Sequence, residues 1–302
     1  MTAKALSIFF LLPVACTNSS VSGQRPVEAP AATEIVGGEK VLYKDRGHSI
    51  GDYAVSVAGL IADAEGNKTT FSSCTGSLIE RDLVLTAAHC LERVSSVDDL
   101  FVTLDEQVIL GFSKQIGVKA YVVHPDTAPY YYSDNDVALL RLKSPAPSWK
   151  KTVNLPTAEL SAMLESGTAA TAVGFGKTQG TLNPARVETE ISLRSTPIDV
   201  KLEKGQSVWV VDQRLGRGLC EGDSGGPLLV KQNSNYTVLG VAHAVEIAHI
   251  SPELRAEMDK EGFSLETYLA SHPDVDMCKD QGQYTAVLPL IPWILKAKAT
   301  IP

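Results

Sequence analysis

From Ile35 onward the chain reads as short apolar runs cut off by Gly, Pro, Asn and Asp. Runs of this length, rich in Val, Leu, Ala and Thr and closed by turn formers, predict strands of an all-β chain. Ala54-Val55-Ser56-Val57-Ala58, Leu83-Val84-Leu85-Thr86 and Lys119-Ala120-Tyr121-Val122-Val123 are three of them. Ala170-Thr171-Ala172-Val173, Leu228-Leu229-Val230 and Val238-Leu239-Gly240-Val241-Ala242 are three more. Two stretches depart from the pattern. Ser251-Pro252-Glu253 sets an N-cap before a proline at the first helical position, with Gly262 as a stop, and Ser264 to Ser271 ends at His272-Pro273. Together they predict a helical insertion within 246–276. Near the end, Pro292-Trp293-Ile294-Leu295-Lys296 predicts a terminal helix that docks through Trp293 and Leu295.

The first 34 residues have a different character. Lys4 precedes the apolar run Ala5 to Leu12, and Pro13-Val14-Ala15-Cys16 follows, which is the layout of an export signal over 1–16. Cys16 falls where a bacterial lipoprotein carries its acylated cysteine, with the small Ala15 before it and Pro13 in place of the usual leucine. The expectation is membrane anchorage through Cys16; the alternatives are an ordinary signal peptide that takes Cys16 away with it, or a Cys16 that sits free. Residues 17–34, rich in Ser, Pro, Ala and Thr and without apolar periodicity, read as a linker or pro-segment.

Composition narrows the class. With 302 residues, 44% apolar and 21% charged, the chain has room for a substantial core. A net charge of −8 argues against nucleic acid as a partner. No apolar run is long enough to span a bilayer.

The chemistry centres on Cys220-Glu221-Gly222-Asp223-Ser224-Gly225-Gly226-Pro227. Its glycines leave the serine hydroxyl and nearby N–H groups open to a substrate, and Gly222 and Gly225 are free to take positive φ in a sharp loop. A serine hydroxyl is a weak nucleophile alone, so it needs a base and a partner for that base. Thr86-Ala87-Ala88-His89-Cys90 offers the base, and Asp134-Asn135-Asp136-Val137-Ala138-Leu139-Leu140 the carboxylate.

These segments, in the order His, Asp, Ser, resemble the chymotrypsin/trypsin family of serine proteases, and Ile35-Val36-Gly37-Gly38 is similar to that family's mature N-terminus. Ala172-Val173-Gly174-Phe175-Gly176 resembles a further family segment near the junction of its barrels. The resemblance implies two six-stranded antiparallel β-barrels, at about 35–145 and 146–302, within a protease domain over 35–302. It places His89 and Asp136 on the first barrel, Ser224 on the second and the terminal helix against the second. It implies a serine endopeptidase with His89, Asp136 and Ser224 as triad and the N–H groups of Gly222 and Ser224 as oxyanion hole. Neither cofactor nor metal is implied; the partners are protein or peptide substrates, and the chain is expected to be a monomer. Pairing in the family implies Cys74–Cys90 and Cys220–Cys278, hence an oxidising compartment, secreted or in the cell envelope. Activation is expected by cleavage before Ile35, whose new amino group would pair with Asp223.

Two other readings compete. Gly222-x-Ser224-x-Gly226 also fits the nucleophile elbow of esterases and lipases, but that fold needs a helix after the serine and the order Ser, Asp, His. A protease-like binding protein without catalysis is the other, opposed by the intact triad residues.

For specificity, Gly218 stands six residues before Ser224, where trypsin-like relatives carry the aspartate that binds Lys or Arg. A buried substrate cation would find no counter-ion there. Gly218 and Leu219 suit a small or apolar side chain, and Gly282 is expected to leave the slot open. His243 has two readings: a pocket histidine that holds a substrate glutamate, as in glutamyl endopeptidases, or a core histidine bonded to Asp136 or a backbone carbonyl. The first would allow the enzyme to cut itself after Glu34.

Overall fold

The computed structural model describes residues 35–62, 68–92, 94–108, 113–127, 135–164, 168–177, 191–202, 207–246, 268, 271 and 276–302. The expected export signal, Cys16 and the linker lie outside these residues, as does nearly all of the expected helical insertion. Within that insertion Tyr268 and Ser271 are helical, and the Ser271 hydroxyl donates to the Tyr268 carbonyl at 2.8 Å.

Strands β2 (Ala54–Ala62), β3 (Lys68–Glu80), β4 (Leu83–Thr86), β5 (Leu100–Thr103), β7 (Gln115–Val123) and β8 (Ala138–Leu142) close into a barrel in the order β2-β3-β4-β8-β7-β5. The second barrel uses β9 (Thr168–Gly174), β11 (Arg194–Leu202), β12 (Val208–Asp212), β13 (Pro227–Gln232), β14 (Asn235–Glu246) and β15 (Gln281–Ala286). Its order is β11-β12-β15-β14-β13-β9, and β9 pairs back onto β11 to close the ring. A short strand β1 (Glu39–Lys40) adds to β11, and β6 (Gln107–Val108) pairs with β10 (Ile191–Ser192). These are the two six-stranded antiparallel barrels that the resemblance implies.

Burial explains why these segments become strands. In β7 buried Ile116 and Val118 alternate with exposed Gln115 and Lys119, as on a strand with one wet face. All four residues of β4 are buried, as are Ala138, Leu139, Leu140 and Leu142 of β8, so both faces of this pair are covered. Closure bends the strands, and register shifts mark the bends, among them Val57/Ala58 in β2 and Ala242/Ala244 in β14.

The terminal helix, Ile291–Thr300, forms where expected but docks differently. Leu295 is 51% exposed, while Ile294 and Ala297 are buried and join the core cluster that holds most of the buried first-barrel residues together with a few from the second. Trp293 packs on His124 just after β7, at 4.9 Å between ring centroids. The Arg141 guanidinium on β8 donates to Lys298 O at 3.3 Å, and Lys298 pairs with Glu80 on β3 at 2.5 Å. The described polar and ring contacts of the helix therefore go to the first barrel rather than the second as expected, and its buried face is Ile294 rather than Leu295. Positions 294 and 297 are one helical turn apart and form the inward stripe; 295 is rotated away from it.

Two disulfides staple the fold. Cys74 of β3 joins Cys90, closing 16 residues, and Cys220 joins Cys278, closing 58. Each closure removes chain entropy worth about 3 to 4 kcal/mol from the unfolded state. Among the described residues no helix is long and apolar enough to cross a membrane.

The helix assignment makes a contrast that is easy to measure. Ile294→Ala should cost about 2–5 kcal/mol in denaturant unfolding, whereas Leu295→Ala should stay within about 0.5 kcal/mol. The reverse ranking would return the helix to the face first expected.

Candidate active site

The strand register brings His89 and Asp136 together. Thr86, the last residue of β4, pairs with Ala138, the first of β8. His89 lies three residues beyond one end and Asp136 two before the other, so both emerge on the same rim. The buried Ala87 and Ala88 let the chain turn tightly into a 3-10 turn at His89–Leu91, anchored by the Cys74–Cys90 disulfide. The backbone N–H of His89 donates to Asp136 Oδ1 at 2.9 Å, and the ring Nδ1 lies 2.6 Å from Oδ2.

Asp136 has a second ring on it. His243 Nδ1 lies 2.8 Å from the same Oδ2. An ionised carboxylate only accepts hydrogen bonds, so both Nδ1 atoms carry the proton and His89 keeps Nε2 as its basic nitrogen. Burial alone would push the Asp136 carboxyl up, but the hydrogen bonds from His243 and His89 outweigh it and hold the group well below the usual carboxylate range.

His243 Nδ1 thus lies on Asp136, as the core-histidine reading expected. The reason is local. In the pairing of β14 with β15, Ala242 faces Tyr284 and Ala244 faces Gln283, leaving His243 as the extra residue of a bulge. A bulge breaks the alternation of side chains and re-aims the extra one.

The serine loop comes from the second barrel and is clasped by the first. Thr75 of β3 donates its N–H to Ser224 O at 2.7 Å and its hydroxyl to Gly222 O at 3.0 Å. The same hydroxyl accepts the Phe175 N–H at 3.0 Å. Gly225 N donates to Ala242 O at 2.7 Å, and the sulfur of Cys90, beside His89, lies 3.7 Å from Ser224 O. Gly222 and Gly225 take φ of +98° and +79°, the left-handed region that glycine favours. A side chain at Gly225 would also meet Thr86 Oγ1 at 2.1 Å. Ser224 and His89 are half-buried, while Asp136 is buried at 2% exposure. Among the described residues the N–H groups of Gly222 and Ser224 have no carbonyl partner.

Beside Ser224, Asp223 is buried at 1% exposure and points away into the second barrel's end. Its carboxylate accepts the N–H groups of Gly176 at 2.8 Å and Cys220 at 2.9 Å, and burial pushes its pKa up to about 7. Gly174 and Gly176 are glycines because a Cβ at either would lie 2.1 and 2.4 Å from the Asp223 carboxylate. Ile35 and Val36 are also buried, with Val36 bridged to Gly218. Thr75, and Gln213 between Gly218 and Gly282, went unnoticed in the sequence; neither lies in a motif, and both act through backbone partners.

Two closed six-stranded barrels that meet over a histidine, an aspartate and a glycine-flanked serine are the architecture of the trypsin family. A family profile described as Trypsin matches residues 55–252, and the chain belongs to that family. It is similar to the Phenoloxidase-activating enzyme of Bombyx mori, 25% identical over 237 residues that cover 66% of this chain and 52% of that protein. The chain thus spans about half the length of that relative.

The shared carboxylate leads to a pH prediction. Asp136 has a depressed folded pKa, so its contribution to stability is complete above the ordinary value of 3.8 and drains away as pH falls below it. Asp136→Asn should flatten the fall in stability at acid pH, measured by denaturant midpoints between about pH 2 and 5. An unchanged acid limb would mean that the two histidines do not depress the carboxyl.

Proposed function

We propose that the protein is a serine endopeptidase, made as a precursor and activated by cleavage between Glu34 and Ile35. The observation that carries the reading is the pair of hydrogen bonds from His89 to Asp136 on the rim that faces the Ser224 loop. In this reading Ser224 Oγ attacks the substrate carbonyl while His89 Nε2 takes its proton, then passes it to the leaving amine. Asp136 keeps His89 in the right tautomer and stabilises the imidazolium. The N–H groups of Gly222 and Ser224 receive the developing oxyanion, each worth about 3–4 kcal/mol in such sites. Water then hydrolyses the acyl-enzyme through the same base. His243 supplies Asp136 with a second donor, a positioning role.

Activation is supported by two signs of tension in the uncut chain. Asp223 is a fully buried carboxylate with two N–H donors and no cation among the described residues. Ile35, a β-branched residue, is held buried at φ +39°, a conformation that costs about 1–3 kcal/mol. Cleavage at Glu34–Ile35 removes the peptide bond that defines this φ and creates an ammonium able to pair with Asp223. That pair would hold Gly222 to Ser224 in register for catalysis. Thr33-Glu34 before the cut calls for a protease that accepts acidic residues.

We take the substrates to be proteins or peptides and the two disulfides to mark an oxidising compartment. Cys16 remains a proposed lipid anchor, tested by fatty-acid labelling that Cys16→Ser abolishes.

Two measurements test the reading. An organophosphate should label the cut protein at Ser224 and leave Ser224→Ala unlabelled; an unlabelled wild type would leave a protease-like binding protein. The second follows from Asp223. An acid whose folded pKa is raised from 3.8 to about 7 holds its proton longer when folded, so the uncut chain loses stability as pH rises through that window. The Ser224→Ala precursor should therefore weaken by a few kcal/mol over this range, and cutting before Ile35 or introducing Asp223→Asn should flatten the profile. A flat profile in the uncut chain would contradict the unpaired carboxylate.

A further inference from the structure

His243 differs from a fixed donor such as an amide or a hydroxyl, because its ring can take up a second proton near neutral pH. Its Nδ1 lies 2.8 Å from Asp136 Oδ2, and His89 Nδ1 lies 2.6 Å from the same oxygen. The ring centroids are 6.4 Å apart and the planes are inclined at 73°. Asp136 and His243 are buried and His89 is half-buried. Two titratable rings thus share one carboxylate charge where water screens little.

These rings are the titratable groups that act on Asp136. Among the described residues, other such groups stand on the elements around His243. Strand β15 brings Tyr284, opposite Ala242, and β14 itself ends at Glu246. The serine loop, bonded to Ala242 through Gly225 and Gly226, brings Glu221 and Asp223. Cys74 and Cys90 are tied in a disulfide. Burial pushes the Tyr284 phenol up, so it stays neutral at acid pH.

We propose that His243 is a proton-sensitive positioning residue: when its ring takes a second proton it claims the charge of Asp136 and slows attack by Ser224, so activity is lost on acidification through two coupled protons rather than one. The proposal rests on the serine endopeptidase reading above. During attack His89 becomes an imidazolium, which Asp136 stabilises. While His243 is neutral, the carboxylate serves that one cation. Once His243 is protonated, at Nε2 because Nδ1 already carries its proton, the same oxygen faces two cations. One negative charge cannot offset both, and the imidazolium on His89 forms at higher cost. A proton on either ring likewise disfavours a proton on the other. The rings therefore titrate as a coupled pair, and the breaks in a pH profile belong to the pair. A neutral amide at this position would keep a donor and lose the sensitivity.

The test uses the chain cut before Ile35, with active sites counted by organophosphate titration and kcat/KM followed for one peptide between about pH 4 and 9. Below its plateau, wild type should fall more steeply than one proton allows, approaching about a hundredfold per pH unit. His243→Asn, which keeps an N–H near the place of Nδ1, should fall from its own plateau by about tenfold per unit. Recovery of activity on return to the plateau pH keeps unfolding out of the comparison. Titrations common to both proteins, those of Asp223 and Glu221 included, cancel in it. In cut Ser224→Ala, proton NMR should show two strongly downfield imidazole N–H resonances, of which His243→Asn removes one. Should His243→Asn fail to fold, the wild-type slope and the two resonances decide alone. A one-proton acid limb in wild type, the same limb in both proteins, or a single downfield resonance overturns the proposal and leaves the endopeptidase reading intact. A wild type with no titratable serine overturns both.

Discussion

The structure depends on solvating one buried charge. Asp136 lies at the seam of the barrels with almost no access to water, and a carboxylate there is tolerable only if its oxygens are filled with donors. The fold supplies three: the His89 N–H, the His89 ring and the His243 ring. Two come from the first barrel and one from the second. The charge therefore acts as a rivet between barrels as well as a partner for a base. Thr75 works beside it in the same direction, reaching from β3 to the carbonyls of Gly222 and Ser224. Histidine, aspartate and serine are held in place by backbone groups on both sides of the seam.

Much of this was legible because some motifs are short-range chemistry written in consecutive residues. Gly222 and Gly225 advertise a loop that only glycine can follow, and both have positive φ. The strand of Leu83 to Thr86 stands at the residues first read from its apolar run. What was not legible arises where a residue's meaning depends on distant register. His243 sits in an alternating run, and only its pairing with β15 reveals the bulge that turns it to Asp136. Gln213 has no motif around it; its importance comes from two glycines, one 5 residues on and the other in β15. Leu295 looked like an anchor by hydrophobicity alone, yet the helix phase puts Ile294 inward.

The second barrel's end carries an opposite electrostatic condition. Where Asp136 is saturated with donors, Asp223 has two N–H groups and no positive charge among the described residues, and burial raises its pKa. The two carboxylates are separated by the serine loop itself.

The terminal helix has a consequence for how the chain comes into being. The strands of the first barrel are complete by Leu142, yet the patch over β3 and β8 is capped by Ile294 and Ala297. During synthesis that patch stays bare until Ile294 and Ala297 have left the ribosome, and a barrel with an uncovered apolar flank is less stable and more adhesive than the finished one. The helix thus acts as a clock: the barrel that holds His89 and Asp136 reaches its final stability only after the serine loop has been made.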